Sequence, residues 1–308
     1  MSQSLNKLID IIEGAISDFQ KKIPSIQARI FDDLQEQLQQ LKTSKGKVLA
    51  NVENLKIIGA IKNRLESIIM DDRYIDEVKK FILAFEQVGN FYNEHFASFN
   101  QKFKTPKTIP IIKQMSVDAT INSLSEAGII SNIIEPIADI LRTNITSGGS
   151  ISELNNQLRN HITTNETGDG KLERYSKQIT TDAINQYSAN YNQAVAIDLK
   201  LEWYMYVGSN LTTTRPWCEA MTKLKYVHVS QLPKTLKGYV GDLKVPISEK
   251  TGLPGGMIPG TNVNNLTIYR GGYNCGHQLV SVDEVVIPGF IKAQVWASPE
   301  YLMWKKAA

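Results

Sequence analysis

Apolar residues recur at helical spacing through the first hundred positions. Leu5, Leu8, Ile9, Ile12, Ile16 and Phe19 fall on one stripe, which Pro24 closes. Ile26, Ile30, Leu34, Leu38 and Leu41 form a second, with Asp32, Asp33 and Glu36 turned away from it. After a break at Ser44-Lys45-Gly46-Lys47 a third runs through Leu55, Ile58, Ile61, Leu65 and Ile68. A fourth runs through Tyr74, Val78, Phe81, Phe85, Val88 and Tyr92. Stripes of this kind must be buried, and short connections favour antiparallel neighbours, so the pattern predicts a helical bundle or hairpin array. The same spacing permits pairing with a second chain, so oligomerisation through these helices is carried as an expectation.

Lys104-Thr105-Pro106-Lys107-Thr108-Ile109-Pro110 reads as a linker, because its prolines disfavour helix on both sides. Helix resumes through Met115, Ile121 and Leu124, and again from Ile130 to Leu141, where Pro136 should kink or restart it. Thr146-Ser147-Gly148-Gly149 is a stop, and Ser150 with Glu153 fits a capping box. A polar loop, Asn165 to Gly170, precedes a long helix over Leu172 to Leu199.

Beyond Leu199 the spacing changes. Trp203 to Val207, Tyr226 to Val229, Leu266 to Tyr269 and Gln278 to Val282 are aromatic or β-branched and read as strands. Arg215 to Leu224 reads as a helix with Pro216 at its first position, and Gly238 to Gly260 as loop. The expected fold class is α+β: helical over the N-terminal two-thirds, then a small α+β module with long loops. The expected divisions are a helical region 1–105, a second helical region 106–200, the module 201–288 and a tail 289–308, carrying Trp296, Tyr301 and Trp304, that docks on this chain or on a neighbour.

Composition narrows the classes. The 308 residues are 42% hydrophobic and 21% charged, which is ordinary for a folded protein and excludes wholesale disorder. A net charge of +3 is far below that of a dedicated nucleic-acid binder. Lys223, Lys225, Lys234, Lys237, Lys244 and Lys250 leave double-stranded DNA as a non-specific partner at most. No stretch reads as a membrane span, and the first residues lack a signal-peptide pattern, so synthesis in the cytoplasm is expected. Two cysteines in a chain of this length are not a disulfide framework.

The candidate chemistry lies in two segments, Thr214-Arg215-Pro216-Trp217-Cys218 and Arg270-Gly271-Gly272-Tyr273-Asn274-Cys275-Gly276-His277. Cys218, Cys275 and His277 are zinc-ligand types, and His228 could complete a tetrahedral set, making zinc the candidate cofactor. The paired Cys-X2-Cys knuckles of strong zinc motifs are absent. The alternative has the cysteines packed as small apolar groups and His277 capping a loop. A cysteine hydrolase would need a base, an orienting group and an oxyanion loop that the spacing does not supply, so no residue is assigned a catalytic role. Ile268-Tyr269-Arg270-Gly271-Gly272 is similar to the arginine strand of ADP-ribosyltransferases, but no Glu-X-Glu follows. His95, among Phe91, Tyr92, Phe96 and Phe99, reads as part of an aromatic helix face, and His161 as a helix-end residue.

Taken together with the polar helix before them, Ile179-Thr180-Thr181-Asp182-Ala183 through Asn192-Gln193-Ala194, these segments resemble the phage head morphogenesis family, the minor head proteins typified by the F protein of phage Mu. That family carries an aromatic strand, a Thr-Arg-Pro-X-Cys or Thr-Arg-X-X-His segment, a variable Gly/Pro-rich insert and a closing Asn-Cys-Arg-Cys or Asn-Cys-Arg-His. The likeness covers residues 110–288, and Gly276 stands where the family has Arg. It implies a non-enzymatic structural protein of the virion, a low-copy component of the phage head acting in assembly at the portal vertex. Portal protein or major capsid protein would be its partner. Arg215, Cys218, Arg270, Asn274, Cys275 and His277 would form the structural motif. The competing class is an ADP-ribosyltransferase-like enzyme or cysteine hydrolase carrying a phage-type module.

Overall fold

The computed structural model describes residues 2–164, 168–273 and 275–307. It is an α+β protein, 66% helical, with small antiparallel sheets in its C-terminal part, as the hydrophobic pattern predicts. The first four helices are α1 (Ser2–Gln20), α2 (Ile23–Leu38), α3 (Val52–Ile69) and α4 (Asp72–Phe99). Pro24 sits in the first turn of α2, where its missing N–H costs nothing. The Asn51 side chain caps α3 by accepting from the Asn54 N–H at 2.8 Å. The break between α2 and α3 is a hairpin, β1 (Thr43–Ser44) and β2 (Lys47–Val48). Lys45 and Gly46 have φ of 50° and 75°, the paired positive angles of a type I′ turn.

Helices α5 (Ile109–Leu124) and α6 (Glu126–Ile129) lead into a π-helical turn, Ile130–Ile134, and then α7 (Glu135–Ser147). Pro136 falls in the first turn of α7, so the helix restarts there. Gly148, left-handed at φ 63°, terminates α7. Ser150 caps α8 (Ile151–Ile162), its Oγ accepting from the Ser152 and Glu153 N–H groups at 3.2 and 3.5 Å. Of the expected polar loop, Asn165, Glu166 and Thr167 lie outside the described residues. The long helix α9 spans Lys171–Leu199.

The chain divides into two compact units that interleave in sequence. One comprises Gly14–Leu83 and Val117–Thr180; the other comprises Met1–Glu13, Ala84–Ser116 and Thr181–Ala308. Lys104 to Pro110 therefore falls inside a single unit. In the first unit α3 packs on α2 and α7, and α8 on α2 and α7. Phe19 meets Tyr74 and Phe81 edge-on, and Arg29 pairs with Asp71.

The second unit is built on a three-stranded antiparallel sheet. Its centre is β3 (Trp203–Val207), flanked by β4 (Tyr226–His228) on one side and by the strand Gln278–Val282 on the other. All five residues of β3 are buried, which explains a continuous apolar run in place of an alternating one. Helix α10 (Pro216–Leu224), helix α11 (Leu232–Leu236), the hairpin β5 (Tyr239–Val240) and β6 (Leu243–Lys244), and helix α12 (Leu266–Tyr269) fill the insert before Gln278–Val282, which is β7. Residues 266–269 were expected as strand and are helix instead. Asn265 Oδ1 accepts from the Asn262 N–H at 2.7 Å, and Leu266 N–H bonds Asn262 O at 2.8 Å, turning the chain before it can extend.

The free edge of β7 is covered by side chains. On α9, Asn185, Ser188 and Asn192 lie at i, i+3 and i+7 and are no more than 1% exposed. Asn192 acts as a strand would: its Nδ2 donates to Leu279 O at 2.9 Å and its Oδ1 accepts from Ser281 N–H at 2.8 Å. His95 Nε2 reaches Ser281 O at 3.0 Å, so this histidine also closes the edge, stacked on Phe91 and met edge-on by Phe96 and Phe99. Two further helices, α13 (Gly289–Trp296) and α14 (Pro299–Ala307), end the chain. The tail docks on its own unit, with Tyr301 and Trp304 against His228 and Glu300 paired with Lys234 at 3.2 Å.

Candidate metal centre

The two cysteine-bearing segments converge at one end of β3. Cys218 is the third residue of α10, and Cys275 and His277 lie just before β7. Because Val207 pairs with Gln278, the next residues on each side, Gly208 and His277, come together. Gly208 has φ 141°, and a Cβ there would lie 2.6 Å from His277 Cδ2, so only glycine fits. Cys218, Cys275 and His277 are 2%, 5% and 6% exposed, and their donor atoms all lie within 4.8 Å of one another.

The distances fit a metal better than a disulfide. Zn–S bonds of about 2.3 Å at tetrahedral angles place two thiolates about 3.8 Å apart, and a thiolate and an imidazole nitrogen about 3.6 Å apart. The Cys218 and Cys275 Sγ atoms are 3.9 Å apart, and Cys275 Sγ is 3.9 Å from His277 Nδ1. Both cysteines are free. His277 Nε2 lies 3.3 Å from Asn210 Oδ1; donation from Nε2–H leaves the Nδ1 lone pair for a metal, the usual way a liganding imidazole is oriented. Tyr206 stacks on the His277 ring with centroids 5.2 Å apart, and its hydroxyl lies 3.9 Å from Cys275 Sγ. Behind the sulfurs sits Gly271, where a Cβ would fall 2.3 Å from Cys218 Sγ and 3.1 Å from Cys275 Sγ.

The thiols are not equivalent. The Cys218 S–H donating to its sulfur holds Cys275 well below the ordinary thiol range; His277 and the Arg270 charge act in the same direction, against the cost of burial. The same hydrogen bond, with burial and the Cys275 charge, drives Cys218 up. Burial above all, then the thiol pair, raises Tyr206 far above the ordinary phenol, so it remains a donor.

Two arginines hold the surrounding loops. Arg215, the N-cap residue of α10, donates from Nη1 to Gly271 O at 2.8 Å and from Nη2 to Tyr273 O at 2.7 Å, fastening one motif to the other. Gly256, at φ 86°, makes room for it: a Cβ there would lie 2.2 Å from Arg215 Nε. Arg270 follows α12 rather than lying on a strand, at φ 47° and 4% exposed, and its Nη1 donates to Asn185 O at 3.0 Å. Asn274, the remaining motif residue, lies outside the described residues.

Of the four histidine and cysteine residues that suggested zinc, the structure brings three together. His228 does not join them. It is 1% exposed at the other end of β3, enclosed by Trp203, Tyr301 and Trp304, with ring centroids 5.0, 5.2 and 4.9 Å away. Its Nδ1 accepts from Ser230 N–H at 3.1 Å, and burial pushes its pKa down to about 4. Pairing Cys-X-His with a nearby histidine overlooked that aromatic strand and tail residues would seal His228 in. The contributors missed by sequence reading are Asn210, Tyr206 and the glycines at 208 and 256.

All three donors line a cavity of about 670 Å³, whose wall also includes Ser209, Thr213, Thr214, Arg215 and Glu13. No helix among the described residues is long and apolar enough to cross a membrane. No protein-family model, curated protein or solved structure matches the chain.

Proposed function

We propose that the chain is a minor head protein of a tailed bacteriophage, a non-enzymatic component of the virion that acts in head assembly and contacts portal or major capsid protein. The observation that carries this reading is the closure of the two motif segments on each other. Arg215 of the Thr-Arg-Pro-X-Cys stretch grips the backbone on either side of Gly272, and Cys218 meets Cys275 and His277. An insert of Gly/Pro-rich loop is thereby tied at both ends, which gives a small unit one rigid surface for docking. Zinc on Cys218, Cys275 and His277 would cross-link the segments, adding stability to the folded state alone. Exposed lysines on the insert supply weak, salt-sensitive attraction for packaged DNA.

Mass spectrometry of purified particles from the phage that encodes the chain tests the reading, together with a deletion of its gene. The expected result is the chain in particles at a low copy number, and loss of DNA-filled heads on deletion. Normal, infectious particles lacking the chain would overturn it.

A further inference from the structure

The cluster has a packed back and an open front. Gly271 presses on the two sulfurs from one side and the Tyr206 ring covers His277. On the other side Cys218, Cys275 and His277 all face the same cavity of about 670 Å³. Among the described residues no further Cys, His, Asp or Glu joins them within 4.8 Å, although Glu13 lines the cavity wall. Structural zinc sites are closed by four protein ligands, whereas three ligands and an accessible fourth position mark a site that exchanges ligands.

We infer that an ion held by Cys218, Cys275 and His277 presents its fourth coordination position to this cavity, where it takes water replaceable by a small anionic donor. The inference rests on the zinc cross-link proposed above. Two thiolates and a neutral imidazole cancel the charge of a divalent ion, and the Arg215 guanidinium on the cavity wall adds a positive charge beside it. A monoanion is therefore the ligand class the site favours over a second cation or a bulky apolar group. Ser209, Thr213 and Thr214 place hydroxyl-bearing residues on the same wall.

Cobalt replaces zinc in such sites and reports its ligands through ligand-field absorption. The full chain, loaded with cobalt and titrated with azide, should bind one equivalent of cobalt with tetrahedral bands that shift saturably as azide is added. Bands that do not move with azide would overturn the open position while leaving the cross-link intact. A Glu13→Gln chain whose cobalt spectrum differs from wild type would also overturn it, because Glu13 would then be the fourth ligand. Failure to take up cobalt or zinc at all would overturn the cross-link itself. Cys275→Ser should lose cobalt binding, and the wild-type azide titration remains decisive if that variant does not fold.

Discussion

His277 and His228 lie at opposite ends of the central strand β3, both buried, and they meet opposite chemistry. Around His277 the chain has spent glycines, at 208 and 271, so that two sulfurs and an imidazole can approach without a Cβ between them. Around His228 it has spent aromatics, and three large rings leave a neutral imidazole that serves as a helix cap. Residue type made both histidines ligand candidates. What separates them is the volume of their neighbours: small residues bring donors together, and large ones exclude both donors and water.

The sealed end should be the more sensitive to truncation. Trp203 is 2% exposed and forms one wall of the His228 enclosure from the strand at the centre of the sheet. Trp203→Ala is expected to cost about 3–5 kcal/mol, the range for emptying a large buried aromatic site. Denaturant midpoints at constant slope would measure it. A loss under about 1 kcal/mol, the size of a surface substitution, would mean that the rings do not hold this end of the sheet.

The other end should fail by crowding instead. In Gly271→Ala the new methyl would stand 2.3 Å from Cys218 Sγ, so sulfur or backbone must move. Overpacking of this kind costs about 1–3 kcal/mol. The sharper consequence is chemical, because displaced sulfurs can no longer share an ion. Zinc stoichiometry measured beside thermal stability separates the effects. Full zinc uptake by this variant would show that the sulfurs tolerate displacement and that the close approach of Gly271 is incidental.

This contrast also marks what sequence could and could not reveal. Helices α1 to α4 were legible because one stripe of apolar residues suffices to identify a helix, and β3 and β7 were legible as runs of aromatic and β-branched residues. The convergence of Cys218 with Cys275 and His277 was legible only as a shared list of ligand types. Three features hid the rest. Leu266 to Tyr269 has strand-forming residues, but Asn262 and Asn265 turn the chain locally. The Asn185, Ser188 and Asn192 face looks solvated in sequence, yet it is buried against β7, where Asn192 bonds the edge backbone and Asn185 and Ser188 bond the Gln278 side chain. His228 looked available because nothing in its own neighbourhood announces Tyr301 and Trp304, which arrive from the end of the chain. The first is a local side-chain turn that outweighs strand propensity; the other two are contacts between distant residues, which no local pattern encodes.

The last prediction concerns the pH dependence of the sealed end. Burial lowers His228 to about 4, although Glu284 acts the other way and Glu202 lies 3.5 Å from Nε2. An unfolded histidine titrates near 6.5, so between about 6.5 and 4 the unfolded chain holds a proton that the folded chain refuses. The stabilisation is complete above the unfolded value and declines as pH falls, by at most about 1.4 kcal/mol per pH unit. His95 and His161 are lowered by burial as well and add slopes of the same sign. His228→Asn keeps an acceptor for the Ser230 N–H and removes the titration. Its stability at neutral pH should drop, since the smaller side chain leaves space among the rings, while its decline from pH 6.5 to 4 should be shallower than that of wild type. Parallel decline in the two proteins, measured by denaturant unfolding across that range, would mean that His228 is protonated in the folded state and that the aromatic enclosure does not keep it neutral.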